Sequence, residues 1–101
     1  MAFCIEIACC ALKFTLHQRG LVQKKTIVGA LHTGDGVIFT IMGRGATPWR
    51  RLNGKTSYKP MHIRLINRAP SCITTGDISK LADEIQDRMN SGAMREYEVS
   101  E

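Results

Sequence analysis

The sequence predicts an α+β fold: a bent antiparallel sheet of four to six strands, made of a meander plus a basic hairpin, with one C-terminal amphipathic helix packed on one face. Three observations carry this. Apolar residues alternate with a period of two through most of residues 2–67, turn signals stand at Thr33-Gly34-Asp35-Gly36 and Asn53-Gly54, and only one later run has helical spacing. The chain of 101 residues has the length of a single domain, 1–101, with the sheet over 2–67, the helix over 77–90 and a short acidic tail over 93–101. At 44% hydrophobic and 23% charged, with 3 Pro and 9 Gly, it is neither disordered nor collagenous in composition.

From Ala2 to His17 the apolar positions run odd (Phe3, Ile5, Ile7, Cys9) and then even (Leu12, Phe14, Leu16). A period of two with one change of parity reads as a long strand bent at a bulge. Gln18 to Gly20 makes a turn, and Leu21 to His32 supplies a second strand through Ile27, Val28, Ala30 and Leu31. The glycines of Thr33-Gly34-Asp35-Gly36 allow positive φ in a tight turn, and Val37 to Met42 follows as a third strand. The three strands read as an antiparallel meander, and the third, apolar on both faces, suits a central strand.

Gly43 to Pro48 is a flexible break. If Asn53-Gly54 is a two-residue type I′ turn, Leu52 opposes Lys55, Arg51 opposes Thr56, Arg50 opposes Ser57, and Trp49 opposes Tyr58. Pro60 ends this ribbon. Met61 to Asn67 then alternates cleanly, with Met61, Ile63 and Leu65 on one face and His62 and Arg64 on the other. After a loop over residues 68–76, Ile78, Leu81, Ala82, Ile85 and Met89 fall at helical spacing, with Asp83, Glu84 and Asp87 on the opposite face. Thr74 with Asp77 fits a capping box, Arg88 lies in the last turn, and Ser91-Gly92 supplies a stop. Tyr97 and Val99 alternate with glutamates, as a short edge strand would. This order of elements is similar to that of the β4α modules of single-strand-binding transcriptional cofactors and, less closely, to small OB-type barrels; the likeness is one of element order alone.

Charge is distributed unevenly. Residues 1–76 carry eleven Lys and Arg against Glu6 and Asp35, a net +9, whereas residues 77–101 carry three against seven acids, a net −4. Between Gly36 and Gly76 there is no carboxylate side chain, while Arg44, Arg50, Arg51, Lys55, Lys59, Arg64 and Arg68 are interleaved with Trp49, Tyr58 and His62. Such a segment repels itself unless a polyanion or an acidic surface offsets it. Cations spaced along a surface suit phosphates, and aromatic faces suit stacked bases. The same residues admit a plainer account, in which Trp49 and Tyr58 close the core under the hairpin and the cations form a solvated face.

No catalytic or metal constellation is visible. Cys4, Cys9, Cys10 and Cys72 lack Cys-x-x-Cys spacing and read as small buried hydrophobes in a reducing compartment. His17, His32 and His62 do not converge with them at ligand spacing. A nucleophile would need an orienting acid, yet Glu6 is read as facing solvent across a strand and Asp35 as held in a turn. Neither an enzyme activity nor a cofactor is expected. Ile7 to Leu12 is too short for a membrane span, Glu6 precedes it without a basic leader region, and Ala2 does not fit a myristoylation start, so a soluble intracellular protein is the expectation.

The function expected from these residues is sequence-tolerant binding of RNA or single-stranded DNA by a homo-oligomer. Its contacts would be Arg44, Trp49, Arg50, Arg51, Lys55, Tyr58, Lys59, His62, Arg64 and Arg68. The alternative is a self-assembling structural or matrix-like protein that sets the same patch against an anionic membrane or an acidic partner.

Overall fold

The computed structural model describes residues 2–42, 47–52, 55–67 and 72–90. In chain order these form β1 (Ala2–Phe3), α1 (Ile5–Gln18), β2 (Ile27–Thr33), β3 (Gly36–Met42), β4 (Thr47–Leu52), β5 (Lys55–Lys59), β6 (Met61–Ile66), β7 (Ile73–Thr74) and α2 (Thr75–Asn90). The fold is α+β. Its main sheet has three antiparallel strands in the order β2-β3-β6, while β4-β5 and β1-β7 are separate two-stranded pairs.

The long bent first strand is not there. Only Ala2 and Phe3 are extended, pairing with Thr74 and Ile73, and residues 5–18 are helical. The reason lies in a second pattern within the same residues: Ala8, Leu12 and Leu16, spaced by four, are all wholly buried, with Ile5 and Cys9 packed beside them. What reads as a change of strand parity is the drift of a 3.6-residue period. Burial of Leu12 and Leu16 contributes about 1.5–3 kcal/mol each, which outweighs the weak helix propensity of the β-branched Ile5, Ile7 and Thr15.

The end of α1 was also encoded locally. Gly20 has φ 71°, its N–H donates to the His17 carbonyl at 3.0 Å, and the Leu21 N–H donates to the Leu16 carbonyl at 2.9 Å. This is a Schellman ending, whose left-handed residue is best supplied by glycine. The expected turn at Gln18 to Gly20 is therefore the stop of a helix. With α1 in place of a strand, the similarity of element order to β4α modules no longer holds.

The third expected strand is central, as its apolar character implies, but its neighbours are β2 and β6 rather than two members of a local meander. β2 begins at Ile27, six residues later than expected, because Thr26 is buried in a turn in which its hydroxyl accepts from the Gln23 N–H at 3.2 Å. The β2-β3 register pairs Thr33 with Gly36, so Gly34 and Asp35 form the connection. Neither Gly34 nor Gly36 has positive φ, contrary to expectation. Gly36 is required for a different reason: a Cβ there would overlap the carbonyl of Leu65 on the adjacent β6. Asp35 is held as expected, accepting from the Thr33 hydroxyl at 3.3 Å while its carbonyl accepts from the Asn67 N–H at 3.0 Å.

Both helices cover one face of the sheet. Val37, Phe39 and Ile41 of β3, and Met61, Ile63 and Leu65 of β6, form one core with Leu12 and Leu16 of α1 and with Ile78, Leu81, Ala82 and Ile85 of α2. The expected alternation of β6 and the apolar stripe of α2 are both observed, with Met89 half-buried. The capping box also forms: the Asp77 N–H donates to the Thr74 hydroxyl at 3.1 Å, and the Asp77 carboxylate accepts from the Thr74 N–H at 3.0 Å. Arg19 at the end of α1 reaches Asp83 at 2.7 Å and Gln86 at 3.1 Å, tying the helices together. The expected C-terminal edge strand and the stop at Ser91-Gly92 lie outside the described residues.

Candidate nucleic-acid interface

The basic segment includes a distinct structural unit. β4 and β5 pair antiparallel with each other and with no other strand among the described residues. Three of the four expected cross-strand pairs are present: Leu52 with Lys55, Arg51 with Thr56, and Arg50 with Ser57. The fourth is not. The register shifts between Pro48 and Arg50, so Tyr58 lies across from Pro48 and Trp49 has no opposite number. A proline cannot donate to the ladder, and a bulge beside it absorbs the mismatch. The Trp49–Tyr58 pair inferred from the turn arithmetic is thus not formed.

Of the candidate contacts, Trp49, Arg50, Arg51, Lys55, Tyr58 and Lys59 lie on this ribbon, while Arg44 and Arg68 fall outside the described residues, as does the Asn53-Gly54 turn. His62 and Arg64 lie on β6, directly beyond Pro60, on the face of the sheet turned away from the helices. The His62 Nδ1 shares a hydrogen bond of 2.9 Å with the Thr40 hydroxyl across the strands. Arg64 makes an ion pair with Asp35 at 3.4 Å, both side chains being more than half exposed. A solvated pair of this kind contributes at most about 1 kcal/mol, so an incoming phosphate can displace the aspartate at small cost.

The face carrying His62, Arg64, Thr40 and Thr33 also exposes large apolar side chains. Ile27 and Leu31 of β2, Met42 of β3 and Ile66 of β6 are exposed on it, with Leu31 at 66%. An antiparallel sheet open to water normally alternates apolar and polar residues. Here the outer positions of β2 are Ile27, Gly29, Leu31 and Thr33, none of them charged.

Sequence reasoning missed a second cationic surface because it placed residues 2–17 on a strand. On α1, Cys10, Lys13, Phe14 and His17 join Lys24 from the following loop to line an open groove of about 450 Å³. Phe14 is 64% exposed at its wall. The helical spacing of residues 10, 13, 14 and 17 was the available signal.

The acidic face of α2 is partly neutralised from within. Asp83 is paired with Arg19, and Glu84 accepts from Arg88 at 3.3 Å, while the same guanidinium donates to the His62 carbonyl at 2.7 Å. Those two acids are therefore less available to a second copy's basic surface than the bare sequence implies.

The cysteines are more accessible than expected. Cys4 and Cys9 are half-buried and Cys10 and Cys72 exposed, so none is a core hydrophobe. Desolvation, with Cys10 and Glu6 nearby, pushes the Cys9 thiol up, away from thiolate chemistry. Glu6, expected opposite a strand face, instead occupies the first turn of α1. Its carboxyl is held below the ordinary value by its own backbone N–H and by the Cys4 thiol. No group of three or more His, Cys, Asp or Glu able to hold a metal occurs among the described residues. Nor is any described helix long and apolar enough to cross a membrane.

Compared with known protein families, characterised proteins and solved structures, the chain matches none.

Proposed function

We propose that this protein binds nucleic acid, single-stranded DNA or RNA, in a sequence-tolerant manner through the β4-β5 ribbon and the adjoining polar positions of β6. The observation that carries this reading is a coincidence of charge and architecture. Four of the seven Lys and Arg in the carboxylate-free stretch lie on a ribbon that pairs with no other strand among the described residues. A two-stranded ribbon without a partner sheet contributes little to folding, so the concentration of like charge on it works against the fold unless an anion offsets it. Arg50, Arg51, Lys55 and Lys59 would meet phosphates, with Arg44, Arg64 and Arg68 extending the track and His62 beside them. Trp49 and Tyr58 would act as separate stacking surfaces, since they do not face each other across the ribbon.

The test is a titration of the full chain with a short single-stranded oligonucleotide at two salt concentrations, followed by Trp49 fluorescence. Binding should weaken with salt by a log-log slope of roughly 0.7 per phosphate neutralised, and the double variant Arg50→Glu, Arg51→Glu should abolish it. Absence of binding at low salt, together with cosedimentation on anionic vesicles, would replace this reading with that of a membrane-associated assembly protein.

A further inference from the structure

The two outer edges of the main sheet are built differently. At β6 the His62 carbonyl already accepts from Arg88, and the solvent-facing side chains His62 and Arg64 are polar. Among the described residues, β2 has no such protection. Its seven residues, Ile-Val-Gly-Ala-Leu-His-Thr, include no Lys, Arg, Asp, Glu or Pro, and they pair with β3 in unbroken register. Charge, proline and bulges are the devices that keep an edge strand from pairing with another chain.

The direction of the backbone groups on β2 follows from the ladder. Asn67 donates its N–H to Asp35, so odd-numbered positions of β6 and β3 face each other, and even-numbered positions of β3 face β2. The pairing of Leu31 with Ile38 and Gly29 with Thr40 then leaves Val28, Ala30 and His32 with N–H and C=O groups directed outward. No strand among the described residues pairs with them.

We infer that this edge joins the same edge of a second copy of the chain, antiparallel across a two-fold axis at Ala30, to make a continuous six-stranded sheet. That register is the one that pairs all seven residues. It sets Val28 across from His32 and Ala30 across from Ala30, and on the open face it sets Leu31 of one copy across from Gly29 of the other. The two positions are complementary in size. Leu31 is 66% exposed, and nothing lies within 4 Å of where a Cβ on Gly29 would be. They are complementary in charge as well: Lys24 and Lys25 precede β2 and Asp35 follows it, so each lysine pair runs toward the aspartate of the other copy. The equivalent self-pairing centred on β6 would bring Arg64 against Arg64. Because α1 packs on β2, the second copy also sets its own α1 over the joined sheet, and the two ribbons emerge at opposite ends.

This inference does not depend on nucleic-acid binding, and its test separates the two. Sedimentation equilibrium of the full chain over a concentration series should give twice the chain mass of 11.2 kDa. Gly29→Glu and Leu31→Glu, both at open positions, should give the single chain mass with an unchanged circular dichroism spectrum. In the native chain, amide hydrogens of Val28, Ala30 and His32 should be protected from exchange and should lose that protection on dilution, whereas those of Gly29 and Leu31, bonded within the sheet, should keep it. This reading requires no variant to fold. A chain of single mass at every concentration, or a dimer in which those three amides exchange freely, overturns the proposal. Arg50→Glu with Arg51→Glu should remain dimeric, so a dimer that binds no oligonucleotide would reject the nucleic-acid reading and leave this interface intact.

Discussion

The helix-covered sheet and the β4-β5 ribbon are held by different forces. In the first, fifteen buried apolar residues among those described, from α1, α2, the strands and, with Val22, the α1–β2 connection, share one core reached from distant parts of the chain. The ribbon is a pair of strands that, among the described residues, ladders with no other strand; it lies between β3 and β6 in the chain and carries like charge without acids. The contrast teaches that apolar burial and charge are assigned to separate segments: burial makes the body, and a segment that contributes little to it holds much of the charge.

Substitutions can break that division or sharpen it. Phe39, wholly buried at the centre of β3, should show the largest effect. Phe39→Ala should cost about 3–5 kcal/mol in a denaturant melt, and a much smaller loss would mean that the body lacks the single core described here. Next is Gly36→Ala, which places a Cβ against the Leu65 carbonyl and should cost about 1–3 kcal/mol by the same measurement. Thr74→Ala removes one half of the capping box of α2 and should cost about 1 kcal/mol. On the ribbon, Arg50→Glu with Arg51→Glu should shift the melt by less than about 0.5 kcal/mol while abolishing oligonucleotide binding. A large stability loss there would show that the ribbon belongs to the body after all.

The smallest effect concerns pH. The Glu6 carboxyl is lowered from its ordinary 4.5 in the folded chain. Its contribution to α1 is therefore present above that ordinary value and is lost as pH falls through the lowered one. Glu6→Gln should lower stability slightly at neutral pH and match the native chain at low pH, so that this part of the acid dependence disappears when helical circular dichroism is followed across an acid titration.

Of the fold, β6, the central character of β3, the helix α2 with its Thr74–Asp77 cap, and three of the four ribbon pairs were legible in the sequence. Each depends on neighbours in the chain: a period of two, a period of 3.6, a three-residue reciprocal cap, a two-residue turn. The candidate interface residues were chosen on charge and aromatic content, which are compositional, and six of them fall on the ribbon while His62 and Arg64 fall on β6.

The remainder was decided by tertiary contact. Residues 3–16 satisfy a strand pattern through Phe3, Ile5, Ile7 and Cys9 and a helix pattern through Ile5, Ala8, Leu12 and Leu16. Only the second gathers its apolar residues into the core shared with α2 and the sheet. Likewise nothing local pairs β3 with β6 across the eighteen residues that separate Met42 from Met61. Composition and short-range periodicity determined which segments of this protein could be apolar, charged or capped. That residues 5–18 form a helix, and which strand each segment meets, rested on contacts between residues far apart in sequence, where the free energy of burial overrides local preference.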